Sequence, residues 1–315
     1  MKPIAAPVIL CLMGLHINVS AQQAKDSISL LKDMVTKQDD SLIVDKSSSS
    51  AIKKSYFQAG LNYESNNVYL GRKDSSILPY LTPALSYYHK SGFYMTSSFG
   101  FLVSGPDSRL DEVTVEGGYN FSSGDYDGIF TASKFFYNAQ SSNVHAEVSG
   151  SVAYENSYDF GWVKPGFTTT LNFGKKTDFA TAFSIEHDFF AFEDALQISP
   201  TIVANASTQN YYNQYYKNRR YSVNRNGKIV NRQIKLSGEV LDAAAFKILD
   251  YELSLPVTYS SGKCIFIFTP TFAIPVHPAI VNVNYLLMNG TTITRTHTEQ
   301  IGNSLYWNFE FQFNF

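Results

Sequence analysis

Carboxylates recur at even spacing through the chain: Glu112 and Glu116, Glu186 and Asp188, Asp250 and Glu252. Even spacing puts both members of a pair on one face of a β-strand. Glu64, Glu147, Glu155 and Glu310 fall on the polar parity of their own segments as well. Lys134, Lys164 and His145 are the basic groups assigned to the same face. Two chemistries follow. Carboxylates ringing a water-filled passage favour cations. The plainer alternative is a hydrated polar wall with some of its acids paired or protonated.

A second group of charges is basic. Arg219, Arg220, Arg225, Lys228 and Arg232 fall in a stretch, 209–238, that has no acid and carries Tyr211, Tyr212, Tyr215, Tyr216 and Tyr221. Guanidinium forks and tyrosine rings suit phosphorylated or sugar-bearing surfaces, and lipopolysaccharide is the expected partner. The plainer reading is a solvated loop. A net charge of −2 gives no nucleic-acid signal.

Catalytic chemistry has weaker support. A lipid-modifying enzyme would need a nucleophile and a base side by side on a lipid-facing surface, and no such constellation stands out. His187 lies between Glu186 and Asp188, which alternation puts on the opposite face. His277, His297 and Glu299 share one long connection and form a weak metal candidate. No phosphate-binding glycine loop, His-Glu-x-x-His or Cys-x-x-Cys is present. The expectation is no catalytic residue, no metal and no cofactor.

The elements that must position these groups are strands. From Tyr56 onward apolar and polar residues alternate, as in Leu249, Tyr251, Leu253, Leu255 and Val257 against Asp250, Glu252, Ser254 and Thr258. The pattern predicts twelve strands: 55–64, 77–88, 93–104, 110–121, 129–138, 144–155, 161–173, 179–191, 195–208, 246–259, 263–276 and 304–315. Most have the length a tilted strand needs to cross a bilayer. Every second connection is short, whereas 65–76, 209–245 and 277–303 are long. The last two contain Asn226-Gly227 and Asn289-Gly290, which favour tight hairpin turns. If the final long stretch crossed the membrane the count would be fourteen. Pro79, Pro83, Pro165, Pro200, Pro256, Pro270 and Pro275 fall within or beside these spans and argue against unbroken ladders.

The final segment is the most regular. From Leu305 to Phe315, odd positions are large and apolar, and even positions are polar or, at Tyr306, amphipathic. This strand, with its terminal Phe315, resembles the C-terminal strand of Gram-negative outer-membrane β-barrel proteins. The resemblance implies an all-β, transmembrane antiparallel up-and-down barrel whose last strand, Leu305–Phe315, is read by the barrel-assembly machinery. It singles out no functional family. Twenty-four Phe and 21 Tyr suit the aromatic girdles of such a barrel, and a twelve-strand barrel would be roughly 24 Å across its backbone.

The first residues read as an export signal: Lys2, an apolar run over Ile4–Leu15, and small residues Val19-Ser20-Ala21 before Gln22. Cleavage there would leave Cys264 alone, with no internal disulfide. Residues 22–54, rich in Lys, Asp and Ser, read as a periplasmic tail or short helix, with a lumen plug as the alternative. The functional expectation is a small diffusion channel, or a structural and surface-binding barrel, with an acidic lumen. A lipid-modifying enzyme and an adaptor for a periplasmic or surface partner are the alternatives.

Overall fold

In the computed structural model, residues 54–74, 76–218, 224–225, 228–229, 237–286 and 292–315 are described. The stretch read as an export signal, and 22–53 of the leading segment, lie outside them.

Twelve antiparallel strands close into one barrel. They are β1 (Tyr56–Glu64), β2 (Tyr80–Tyr88), β3 (Phe93–Leu102), β4 (Arg109–Ser123), β5 (Tyr126–Tyr137) and β6 (Val148–Tyr158). Then come β7 (Lys164–Gly174), β8 (Asp178–Glu186, resuming at Phe189–Ala191), β9 (Leu196–Ile198 and Thr201–Ser207), β10 (Lys247–Ser254 and Val257–Ser261), β11 (Cys264–Pro275) and β12 (Ser304–Asn314). Each pairs with its successor, and β12 returns to β1 with Leu61 opposite Phe311. Closure leaves no row of unpaired amides.

The predicted alternation holds over most of the wall. Leu61, Phe99, Phe183, Leu253, Phe268 and Phe309 point outward and are exposed, while Thr82, Ser98, Thr114, Thr170 and Gln312 are buried within the closed sheet. Oily outside and polar inside is the reverse of a water-soluble sheet, and it matches a barrel whose solvent is hydrocarbon.

Pro200 and Pro256 fall where the ladder stops, whereas Pro83, Pro165 and Pro270 stand inside β2, β7 and β11. β8 breaks at 187–188, β9 at Ser199-Pro200 and β10 at Leu255-Pro256. These breaks lie side by side, because Thr201 is opposite both Glu186 and Ser254. The amide of Leu255 still reaches the carbonyl of Pro270 at 3.1 Å, and that of Ser199 reaches Pro256 at 3.0 Å. Two of the suspect prolines therefore sit in one aligned kink, where the donor they lack is not needed.

Three bulges upset the parity. Register shifts opposite Gly100, next to Val148 and opposite Asn205. At the first, Asp111 and Glu112 both turn inward; at the last, Leu249 and Asp250 do. Leu249, expected on the lipid face, is therefore fully buried. Val144 and Val148 were expected outside too, but both are buried inside. Residues 144–147 form a 3-10 turn, not the start of β6.

The long connections do not add strands to the barrel. Ile280–Leu286 and Thr292–Thr298 pair with each other and with Ser237–Val240 as a separate three-stranded sheet, so the count is twelve and not fourteen. Arg225 pairs with Lys228, while Asn226 and Gly227 between them, and Asn289-Gly290, lie outside the described residues. The 65–76 segment does not rise clear of the barrel; it folds into its mouth.

A lipid-facing position can be tested directly. Replacing the exposed Ile202, mid-way along β9, with Arg should cost about 2–4 kcal/mol. Urea titration of the barrel in liposomes measures this.

Candidate functional site

The two ends of the barrel differ. The end where β1 begins and β12 finishes has short turns, 89–92, 124–125, 159–163, 192–195 and 262–263. The opposite end carries the long connections, including 208–246 and 276–303. Short turns and termini mark the periplasmic side of such barrels, so the long connections form the outer mouth.

The wall of the lumen is acidic. Glu112, Glu116, Glu186, Asp250, Glu252 and Glu310 all point inward and are buried, as is Glu64 at the outer end of β1. Hydroxyl and amide donors hold several in place. Tyr94 and Ser133 donate to the two oxygens of Glu116 at 3.0 and 2.9 Å, Thr114 to Glu112 at 2.9 Å, Tyr306 to Glu252 at 3.2 Å and Gln312 to Glu310 at 2.8 Å. These neutral donors fix the carboxylates without neutralising them.

Asp188 stands in the kink, and its charge is met. Lys164 Nζ contacts both Asp188 and, at 2.8 Å, Glu186. Ser199 and Gln197 donate to the other Asp188 oxygen at 2.6 and 3.0 Å. Two expected members of the wall lie elsewhere. Glu147 belongs to the 3-10 turn before β6 and not to a strand face. Lys134 lies on the lipid-facing side, exposed, with its ammonium 5.6 Å from the ring centre of Phe136. His145 is buried at the mouth, bonded through Nδ1 to the hydroxyl of Tyr137.

The mouth itself is barred. Tyr69 and Arg72 exchange two backbone hydrogen bonds of 2.7 and 2.8 Å across Leu70-Gly71, both with positive φ (48° and 69°). This is the tight hairpin geometry that favours glycine at its second central position. The hairpin leaves β1 and reaches β7, half-way round a twelve-strand barrel: Asn172 donates to the Tyr69 hydroxyl at 3.0 Å. A Cβ on Gly71 would lie 2.9 Å from Cβ of both Asp250 and Pro275, so the tip is wedged against β10 and β11.

Packing around the bar is aromatic. Tyr69 meets the rings of His145 and Tyr211 edge-on at 4.6 and 4.8 Å. Helix α1 (Asn210–Asn218) presents Tyr211, Tyr212 and Tyr215, all buried, and Tyr212 and Tyr215 stack at 5.7 Å. Burial pushes the phenols of Tyr69 and Tyr211 above the usual tyrosine range, with the Asp178 charge second at Tyr69 and the Tyr69 phenol second at Tyr211, so both stay protonated.

Arg72 is buried beneath Tyr212. Its Nη2 donates to the His277 carbonyl at 2.9 Å, and Nε lies 3.4 Å from Glu299, which also accepts from the Tyr212 hydroxyl. Asp178 holds the start of α1 by accepting from the amides of Asn210 and Tyr211 at 2.7 and 2.8 Å.

A closed sheet with a hydrocarbon-facing exterior and a carboxylate-lined interior decides the class. The chain has the fold of an outer-membrane β-barrel. No family model matches it, and no curated protein does. Among solved structures it is similar to the NanC porin (TM-score 0.42, 8% identity, 82% of this chain and 98% of that one). It is also similar to the KdgM porin (0.40, 8%, 83% and 99%) and to LpxR from Salmonella typhimurium (0.41, 9%, 82% and 100%). At such values these barrels say nothing about function.

Other candidates are placed as follows. Arg219, Arg220 and Arg232 lie outside the described residues, and for Arg225 and Lys228 only the backbone is described. His277, His297 and Glu299 do not converge: His277 bonds the Ile248 carbonyl at 2.7 Å, Glu299 serves Arg72, and His297 is exposed on the outer sheet. Among the described residues no three metal-ligating side chains come together.

One pair was passed over in the sequence. His89 stands two residues before Ser91 in the β2–β3 turn, with Nδ1 and Oγ 2.6 Å apart. The same Nδ1 lies 3.3 Å from the Ser91 amide, and no carboxylate among the described residues is bonded to the ring, so the histidine pins the turn. Asp111, Tyr69, Arg72 and Asp178 were also missed. Asp111 could not be assigned inward beside Glu112 without knowledge of the bulge. The other three act through contacts distant in sequence.

Removing the helix cap tests the mouth. Asp178→Ala should cost about 1–2 kcal/mol locally and speed amide exchange over 211–213, leaving the barrel strands protected. Hydrogen exchange read by mass spectrometry checks this.

Proposed function

We propose that the protein is a non-enzymatic, cation-preferring outer-membrane channel of small bore, closed at its outer mouth in the described state. The observation that carries this reading is the imbalance on the inner wall. Carboxylates run from Glu64 and Glu112 near the mouth through Glu116 to Glu310, held largely by neutral donors. Against them, among the described residues, stand Lys164, engaged by Glu186 and Asp188, Arg72 at the mouth, close to Glu299, and Arg109, paired with the inward Asp111. Fixed negative charge in a low-dielectric tube raises the local concentration of cations and lowers that of anions.

The hairpin spanning the mouth favours a second reading, a structural or surface-binding barrel that conducts nothing. Planar-bilayer recording separates the two. The wild-type protein should show little conductance, whereas replacing residues 66–76 with a Gly/Ser linker should open it. The reversal potential in a potassium chloride gradient should then have the sign of cation preference. Glu116→Gln combined with Glu310→Gln should reduce that preference. Silence after removal of the hairpin supports the structural reading; anion preference would remove the acidic-wall argument. Signal cleavage after Ala21 belongs to the same proposal, and N-terminal sequencing of the membrane-inserted protein checks it.

A further inference from the structure

Lys134 is out of place for a charge in a membrane barrel. It faces outward on β5, on the same side as Phe130 and Phe136, both exposed. A cation among hydrocarbon is costly unless it reaches the interface or an anion. Lys134 precedes the end of β5, Tyr137, by three residues, which for a tilted strand is within about 8 Å of the strand's outer end. A lysine stem can span most of that. Its ammonium lies over Phe136, the next outward position toward the mouth, so the side chain bends toward the outer leaflet.

The neighbouring surface is shaped around it. Gly150 on β6 is in register with Lys134 on one side and Phe173 on the other. Gly150 has no side chain, and the Lys134 stem lies over it: a Cβ there would sit 3.8 Å from Lys134 Cδ. Lys134 and Phe173 therefore stand two strand spacings apart, about 9.5 Å between backbones, with the Lys134 stem covering the buried Gly150 between them. The bulge beside Val148 exposes Ser149 next to Gly150. Above Phe173 the chain turns through Lys175 and Lys176, both exposed. The acid that follows them, Asp178, points inward and is engaged by α1.

We propose that this basic rim, from Lys134 to the Lys175-Lys176 turn, is a lipid-binding site for a phosphate-bearing glycolipid of the outer leaflet. Lys134, Lys175 and Lys176 would meet its phosphates, and Phe136 and Phe173 would flank its acyl chains. The charge pattern selects such a lipid over a zwitterionic one, since each lysine near an anionic headgroup favours it. The site is on the outside of the barrel and is independent of conduction through the lumen.

The test uses the full-length barrel in nanodiscs, with diphosphoryl lipid A as the probe and binding read by native mass spectrometry. Wild-type protein should bind it at least about tenfold more tightly than the same lipid stripped of its phosphates. Lys134→Gln with Lys175→Gln and Lys176→Gln should abolish that discrimination, while Lys134→Arg should keep it. Millimolar inorganic phosphate should not displace the lipid. Equal wild-type binding of the two lipids would overturn the proposal, and needs no variant to fold. So would undiminished discrimination in the triple variant, or displacement by free phosphate.

Discussion

Every peptide group inside hydrocarbon must find its hydrogen-bond partner within the protein. A strand can meet that demand only if both its edges are paired, so the sheet must close. In this chain the closure is made by β12 against β1 on one side and β11 on the other, over nearly the full length of the last strand. The requirement explains where two of the prolines stand. A missing donor is tolerated where two neighbouring strands are interrupted at the same height, and Pro200 and Pro256 occupy such positions. It also explains why the longest connections add their own three-stranded sheet and not a thirteenth and fourteenth wall strand: Thr294 and Thr296 pair with Asn284 and Asn282 through hydroxyl–amide bonds that suit water, not lipid.

Strand parity is a local rule, and it was legible wherever the ladder is regular. Leu305–Phe315 shows why: an eleven-residue alternation admits one assignment of faces, and the structure has Trp307, Phe309 and Phe313 outside with Glu310 and Gln312 inside. The same rule failed at Leu249 and Val148, next to bulges that add a residue without changing the composition. It failed for Lys134 for a different reason. Polar character was taken to mean lumen, but a long amphipathic side chain near a strand end can face lipid and reach the interface.

The mouth was the least legible part. Nothing local in Val68-Tyr69-Leu70-Gly71 marks it as an inserted hairpin; its partners are Asn172, Tyr211 and Asp250, more than a hundred residues away. The tyrosines of α1 had been read with the basic loop that follows them, as a surface-binding patch. Three of them instead form part of the buried packing that seats the hairpin. Composition alone could not tell these uses apart, because a tyrosine serves equally well in a wet interface and a crowded one with a hydroxyl to satisfy.

Two kinds of packing hold this molecule together, and they respond to different forces. Lipid chains are as apolar as the side chains they touch, so the belt of Phe and Leu gains little by hydrophobic association, and the barrel persists through its backbone ladder. At the mouth the situation reverses. Tyr69, Leu70, Val144, Tyr211, Val240, Leu249 and Val281 form an apolar cluster at the water-facing end of the barrel, where expulsion of water drives their contact. Their backbone comes largely from connections, with few ladder bonds at stake. Loosening the cluster therefore need not break a wall strand, and the mouth can have a stability of its own, lower than that of the barrel. The packing across the mouth and the seal of the wall therefore rest on different contacts.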